Sequence, residues 1–353
     1  MSARTPTSDV AGSVVRLADR TTLRVGGPAA EFVDARTTDE FVDAVRDADH
    51  RGMPVLVLGG GSNLLVGDDG FDGRVVAVGT RGVKAWVDSC SGATVTAAAG
   101  EPWDPFVEKA VASGWVGVEA LSGIPGQVGA TPIQNVGAYG QDVAATVAAV
   151  RTWDRAEDTQ RTFAAADCGF GYRDSRFKAE PGRYLILDVT FVLRLGELGD
   201  PLRYVDLVGA LGVGLGGRAR PADVRAAVLD VRAGKGMVLD PDDHDTWSAG
   251  SFFTNPVLSA QDAARLPAEA PRWPADDGRV KTSAAWLIEH AGFARGHRFG
   301  TAALSGKHAL ALTNRGGASS ADLIALAREI RGVVAERFDV RLEPEPVLVG
   351  VTL

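Results

Sequence analysis

Ala249-Gly-Ser-Phe-Phe-Thr-Asn-Pro256 places the Ser251 hydroxyl and the Asn255 amide four apart beside two phenylalanines. In water such a serine is a turn or cap residue; in a dry pocket its hydroxyl can donate a proton to a carbon centre. Leu342-Glu-Pro-Glu-Pro-Val347 sets two carboxylates, Glu343 and Glu345, two apart. On an extended segment that spacing points both the same way, and the plainer reading is a charged edge before a last strand at 347–352. Gly171-Tyr-Arg-Asp-Ser-Arg-Phe-Lys178 packs three cations and two aromatics into eight residues. This is either a solvated turn or a guanidinium fork for a carboxylate that grows electron-rich during a reaction. Lys235, one of six lysines beside 31 arginines, lies upstream of Ser251 and is a candidate phosphate contact.

Two glycine-rich stretches must serve these groups. Ser122 to Gly140 holds five glycines and two prolines and no charged residue. Glycines let backbone amides turn toward an anion at close range, so the stretch reads as a wrap around a phosphate-bearing cofactor or as a buried turn. Val128, Ile133 and Val136 imply that it is packed. Gly59-Gly-Gly-Ser-Asn63 follows a strand, but Leu64 stands where the third glycine of a dinucleotide fingerprint belongs. A strand–turn–strand can still offer amides to a pyrophosphate. Ser305-Gly-Lys307 ends like a phosphate loop, yet His308 replaces the hydroxyl that would hold magnesium. No Gly-x-Ser-x-Gly elbow occurs, and the five histidines show no metal-ligand spacing.

The elements that carry these motifs read as α+β. Thr37-Thr-Asp-Glu40 is a capping box ahead of a helix that Gly52 and Pro54 end. Val55–Leu58 and Leu64–Val66 read as strands, Asp104-Pro105 opens a second helix, and strands follow near 147–153 and 185–193. A glycine-rich linker is expected over 201–224, then a helix from Pro221, a short helix near 283–291 and an amphipathic helix over 320–337.

A chain of 353 residues with 45% apolar and 23% charged residues is an ordinary globular protein of more than one domain. Its net charge of −8 argues against a nucleic-acid partner. Met1–Asp9 lacks the apolar core of a signal peptide and no run is long enough to cross a bilayer, so a cytoplasmic location is expected. Cys90 and Cys168 are expected to be reduced and buried.

Together, in order and spacing, the motifs from Thr22-Leu-Arg-Val-Gly-Gly27 to Leu342-Glu-Pro-Glu345 resemble the UDP-N-acetylenolpyruvoylglucosamine reductase family of flavoenzymes. The resemblance implies an FAD-binding domain of the vanillyl-alcohol-oxidase type over 15–200, in two lobes of about 15–80 and 81–200, and a C-terminal substrate-binding domain over 225–353. It implies FAD and NADPH as cofactors, no metal, and UDP-N-acetylglucosamine enolpyruvate as substrate of a monomeric, cytoplasmic enzyme. By position, the catalytic residues are Arg173, Ser251 and Glu345. Cofactor contacts fall on Gly59, Gly60, Gly61, Ser62, Asn63, Ser122, Gly123, Ile124, Pro125, Gly126, Gly129, Gln134, Asn135, Gly137 and Ala138. Substrate contacts fall on Tyr139, Lys235, Asn255 and Tyr204, the last matching the family's first type, whose extra loop closes over substrate. Pro346 departs from the family's usual valine after the glutamate. A flavin oxidase of a sugar or alcohol is the alternative enzyme; a non-catalytic FAD or nucleotide-sugar binder leaves Arg173, Ser251 and Glu345 without a shared purpose.

Overall fold

The computed structural model describes residues 14–275 and 278–353; the stretch Met1–Asp9, read above for a leader, lies outside them. The first lobe follows from local signals. Thr37 Oγ1 accepts the Glu40 N–H at 3.1 Å, and the Glu40 carboxylate accepts the Thr37 N–H at 3.2 Å, which starts helix α1 (Thr38–His50). Phe41, Val42, Val45 and Ala48 form its buried stripe. That stripe lies on a parallel sheet ordered Ala29–Ala35, Phe71–Val78, Val55–Leu58.

The second lobe is antiparallel. Its strands run in the order Thr159–Ala164, Val147–Asp154, Tyr184–Leu195, Gly92–Ala98, Val83–Asp88. Helix α2 (Trp103–Ala112) stacks Trp103 and Phe106 on Phe191, at centroid distances of 6.0 and 5.0 Å. Phe41 and Val45 of the first lobe share one core with Val95, Phe106 and Phe191 of the second, so the two lobes are packed as a unit. A short helix α3 (Arg176–Ala179) follows the cation-rich turn. Cys168 is buried, but Cys90 is exposed at the tip between Val83–Asp88 and Gly92–Ala98, because a hairpin tip has nothing packed over it.

Residues 201–224 contain helix α4 (Val205–Leu211) and the first turn of α5 (Pro221–Gly234). Leu207 and Val208 meet Val224, Ala227 and Val228 in a small core of their own. Glycine density around 212–217 hides this from a composition scan: Gly212, in the left-handed region, ends α4. Helices α6 (Ala260–Arg265), α7 (Ala284–His290) and α8 (Ser320–Phe338) then enclose a third core with two small three-stranded sheets.

That third core also takes Leu23, Val25 and Leu65 from the start of the chain. Val347–Val349 pairs in parallel with Leu64–Val66, Thr22 Oγ1 donates to the Ser248 carbonyl at 2.7 Å, and Asn314 Nδ2 donates to the Leu23 carbonyl at 3.1 Å. The architecture is α+β, and the chemistry-bearing motifs lie along this seam between front and back halves. Among the described residues no helix is long and apolar enough to cross a membrane.

Candidate active site

Glu345 is seated by backbone on both sides. Its N–H donates to the Phe252 carbonyl at 2.9 Å, and Thr254 N–H donates to the Glu343 carbonyl at 3.0 Å, so this segment runs along Ser251–Thr254. On its other side Val347 N–H donates to the Asn63 carbonyl at 2.9 Å, and Asn63 Nδ2 reaches both Gln134 Oε1 at 3.0 Å and the Glu345 carbonyl at 3.4 Å. The N–H groups at 345 and 347 are the ones used, so the buried Pro346 between them forfeits no bond of this pattern. Phe252 and Phe253 are buried and anchor the extended segment that presents Ser251. The expected pairing of Glu343 with Glu345 does not form. Glu343 meets Arg341 in solvent, while the Glu345 side chain is 15% exposed, because only position 345 faces the seam.

Arg173 comes from the other half. Asn135, itself buried, donates to the Gly171 carbonyl at 3.0 Å and accepts the Ala144 N–H at 3.1 Å, which ties the cation-rich turn to the chargeless loop. Ser175 Oγ donates to the Ile133 carbonyl at 2.5 Å and Lys178 Nζ to the Arg173 carbonyl at 2.7 Å. So clamped, Arg173 holds a φ of +54°, a conformation that a side chain other than glycine's seldom adopts. Its Nε lies 3.1 Å from Glu345 Oε1 and its Nη2 donates to the Gly137 carbonyl at 2.8 Å. Burial pushes the Glu345 carboxyl above its ordinary value, against the opposing pull of Arg173 and Lys178.

Ser251 Oγ lies 3.4 Å from His308 Nε2. Desolvation, reinforced by Lys235, Arg295 and Arg232, brings the imidazole down to about 4, so it is neutral near pH 7. Its loop is pinned to the 3-10 turn His244–Thr246: Gly306 N–H donates to Asp245 Oδ1 at 2.8 Å and Lys307 pairs with Asp243. Sequence reading passed over His308; its one signal was Ser305-Gly-Lys307-His308, a near-miss for a phosphate loop.

The two glycine stretches touch. A Cβ on Gly60 would fall 2.8 Å from the Gly126 Cα, and one on Gly129 would fall 2.5 Å from the Ala99 Cβ, so glycine is required for backbone to pack on backbone. Gly61, Ser122, Gly129 and Asn135 are buried, with the Ser122 hydroxyl spent on the Glu119 carbonyl at 2.7 Å. Gly59, Gly60, Ser62, Asn63, Gly123, Ile124, Pro125, Gly126, Gln134, Gly137 and Ala138 keep some exposure. Among the described residues the N–H groups of Gly60, Gly61 and Ser62 have no protein acceptor. Clustered, unspent amides next to a chargeless loop fit the pyrophosphate of a dinucleotide such as FAD. Val128 and Val136 pack on the core, whereas Ile133 is exposed.

A third group lies beside them. Tyr139, at φ +52°, meets Tyr204 edge-on at 5.2 Å, and Lys235 Nζ pairs with Asp206 at 2.7 Å while standing 5.9 Å over the Tyr204 ring. Asn255 is fixed by its Oδ1, which accepts the Ala284 N–H at 3.0 Å at the start of α7. Tyr172, half exposed, carries Lys281 over its ring at 4.7 Å at the rim by Arg173. Thus a carboxyl pushed above its ordinary value, a guanidinium and a hydroxyl lie along one seam beside a surface of free amides.

Known proteins match both halves of the chain. Residues 29–163 match the FAD binding domain family, and residues 240–349 match the family described as UDP-N-acetylenolpyruvoylglucosamine reductase, C-terminal domain. The UDP-N-acetylenolpyruvoylglucosamine reductase of Cutibacterium acnes (strain DSM 16379 / KPA171202) is 59% identical over 97% of this chain and 91% of its own length. That of Thermobifida fusca (strain YX) is 54% identical over 96% of this chain and 98% of its own. The crystal structure of the Thermus caldophilus enzyme superposes with a TM-score of 0.65 at 26% identity, covering 96% of this chain and 98% of that one.

Proposed function

The chain belongs to the UDP-N-acetylenolpyruvoylglucosamine reductase family, and on that premise we propose that it reduces UDP-N-acetylglucosamine enolpyruvate to UDP-N-acetylmuramate, with FAD as cofactor and NADPH as reductant. The product is a precursor of peptidoglycan. The observation that carries the assignment of roles is the partly buried Arg173–Glu345 pair, with Glu345 held by backbone against the segment that follows Ser251.

When bound, FAD would supply the hydride chemistry between NADPH and the vinyl group of the enolpyruvyl ether, and Gly59 to Asn63 with the Ser122 to Ala138 loop would hold it. The protein's own residues manage the charge and the proton on the substrate. As the vinyl electrons move toward the carboxylate, Arg173 offers its guanidinium to the growing charge, which stabilises the transition state more than the ground state. Glu345, whose burial favours the protonated carboxyl, would in that form donate a hydrogen bond to the same oxygens. Ser251 gives its proton to the carbon beside the carboxylate, completing the lactyl ether. His308, neutral and 3.4 Å away, is placed to orient that hydroxyl.

Gly59 to Asn63 and Ser122 to Ala138 hold the cofactor; Tyr139, Tyr204, Lys235 and Asn255 hold the nucleotide-sugar. In this reading residues 15–200 are the FAD domain, 225–353 the substrate domain, and 201–224 connect them in a cytoplasmic monomer. The test is a pair of half-reactions. Ser251→Ala holoenzyme should still be bleached by NADPH but should not be re-oxidised by the enolpyruvyl nucleotide without oxygen. Normal re-oxidation of that variant removes Ser251 from the role.

A further inference from the structure

Arg232, in the last turn of α5, takes no part in the mechanism above, yet it is the worst-satisfied cation near the site. Its Nη2 donates to the Met237 carbonyl at 2.8 Å. Its Nε is shut off from solvent and has no partner among the described residues. Desolvation works against its charge; Tyr139 and Asp104 oppose that only in part, and Asp104 is already engaged by Arg225 at 2.6 Å. Isolated charge in a dry place is costly, and the unmade bond of a guanidinium adds to the cost.

The surroundings indicate what would relieve it. Arg232 lines a narrow recess with Thr22, Pro125, Gly236, Ser248 and Gly250, among which no carboxylate appears. One wall belongs to the chargeless loop and another adjoins Ser251. Gly123 brings that loop onto Arg232: at φ +70° it is strained for any side chain, and a Cβ there would lie 3.3 Å from Arg232 Nε. The nearby Lys235 already has Asp206, whereas Arg232 Nε is the one buried cationic nitrogen among the described residues left without a partner.

We infer that Arg232 binds a phosphate oxygen of an organic diphosphate whose body spans the recess between the glycine loop and the Ser251 segment. The inference rests on the reading of the chain as an FAD- and nucleotide-sugar-dependent reductase, which supplies two such ligands: the cofactor's pyrophosphate and the substrate's.

The test uses the Arg232→Gln and Arg232→Lys holoenzymes. Cofactor affinity is read from FAD fluorescence released on serial dilution, and substrate-side affinity from the change in flavin absorbance on titration with UDP, with uridine as the control lacking phosphate. A charge-assisted hydrogen bond predicts a loss of ~10- to 100-fold in the Gln variant, partly restored by Lys. Loss of FAD retention assigns the residue to the cofactor's pyrophosphate. Loss for UDP, with uridine unchanged, assigns it to the substrate's. Affinities for both FAD and UDP within about twofold of wild type overturn the inference. So does equal weakening of UDP and uridine, or failure of both variants to fold, since each marks a structural residue. A wild-type protein that binds neither FAD nor UDP instead overturns the reductase reading beneath it.

Discussion

Arg74 and Arg173 each pair with a glutamate across a sheet or a seam, yet the carboxylates respond in opposite directions. Arg74 donates to Glu31 Oε2 at 2.6 Å, to Asp47 Oδ2 at 2.7 Å and to the Ala44 carbonyl at 2.8 Å, which locks α1 to its sheet. Hydrogen bonds from Arg51 and Arg74 hold the Glu31 carboxyl below its ordinary value, and Arg74 does the same to Asp47. Glu345 has one guanidinium, at 3.1 Å, and burial carries it the other way. The first arrangement satisfies the charge with several donors in a partly wet place. The second leaves it with a single guanidinium in a more buried place, and a carboxyl whose proton is held more tightly than in water is what a reacting centre can use.

Breaking the second arrangement should therefore stop chemistry, and breaking the first should weaken the fold. The largest effect is expected at Ser251, the proton donor beside Glu345: Ser251→Ala should lower turnover ~10²–10⁴-fold in steady-state assays. Glu345→Gln or Arg173→Lys should lower kcat ~10²–10³-fold, with KM less affected and the melting midpoint little moved. An equal fall in melting temperature would make this pair a structural one like that of Arg74. Arg74→Met reverses the pattern: the midpoint falls by several degrees while turnover per folded molecule is retained. A loss of turnover without a loss of melting temperature would erase the distinction.

The smallest effect is a pH slope with opposite signs. Glu345, raised in the fold, binds its proton more tightly there than in the unfolded chain. Stability from this residue is present at low pH and is lost as pH rises through and above the ordinary carboxyl value of 4.5. Glu31 and Asp47, lowered in the fold, contribute above their ordinary values and lose that contribution as pH falls. Between about pH 4 and about pH 7, wild type should lose stability relative to Glu345→Gln and gain it relative to Glu31→Gln, read as melting temperatures. Slopes of the same sign would show that the two carboxyls share one environment.

Local features were legible in the residues. The capping box at Thr37, the stripe of α1, the strand Val55–Leu58 and the long helix α8 all rest on interactions within a few positions, and they stand as read. The motifs of the site were legible for a related reason: a chargeless glycine loop or a serine between glycine and phenylalanine is rare enough to be noticed alone. What failed were statements about the surroundings of single residues that distant segments cover or leave bare. Glu343 and Glu345 look equivalent until the seam covers one of them. Cys90 looks like Cys168 until one falls on a hairpin tip, and 205–211 looks like linker until α5 gives it a face to pack on.

The residues by themselves thus determined the helices and strands that carry strong local signals, and which groups are present to do chemistry, since both follow from short-range sterics and side-chain type. Only tertiary structure decided which of those groups meet. The bond from Glu345 to Phe252, Arg173 beside Glu345, His308 beside Ser251 and the stranded guanidinium of Arg232 all join residues far apart in the chain. Their protonation states follow from burial, and burial exists only once the cores have closed around them.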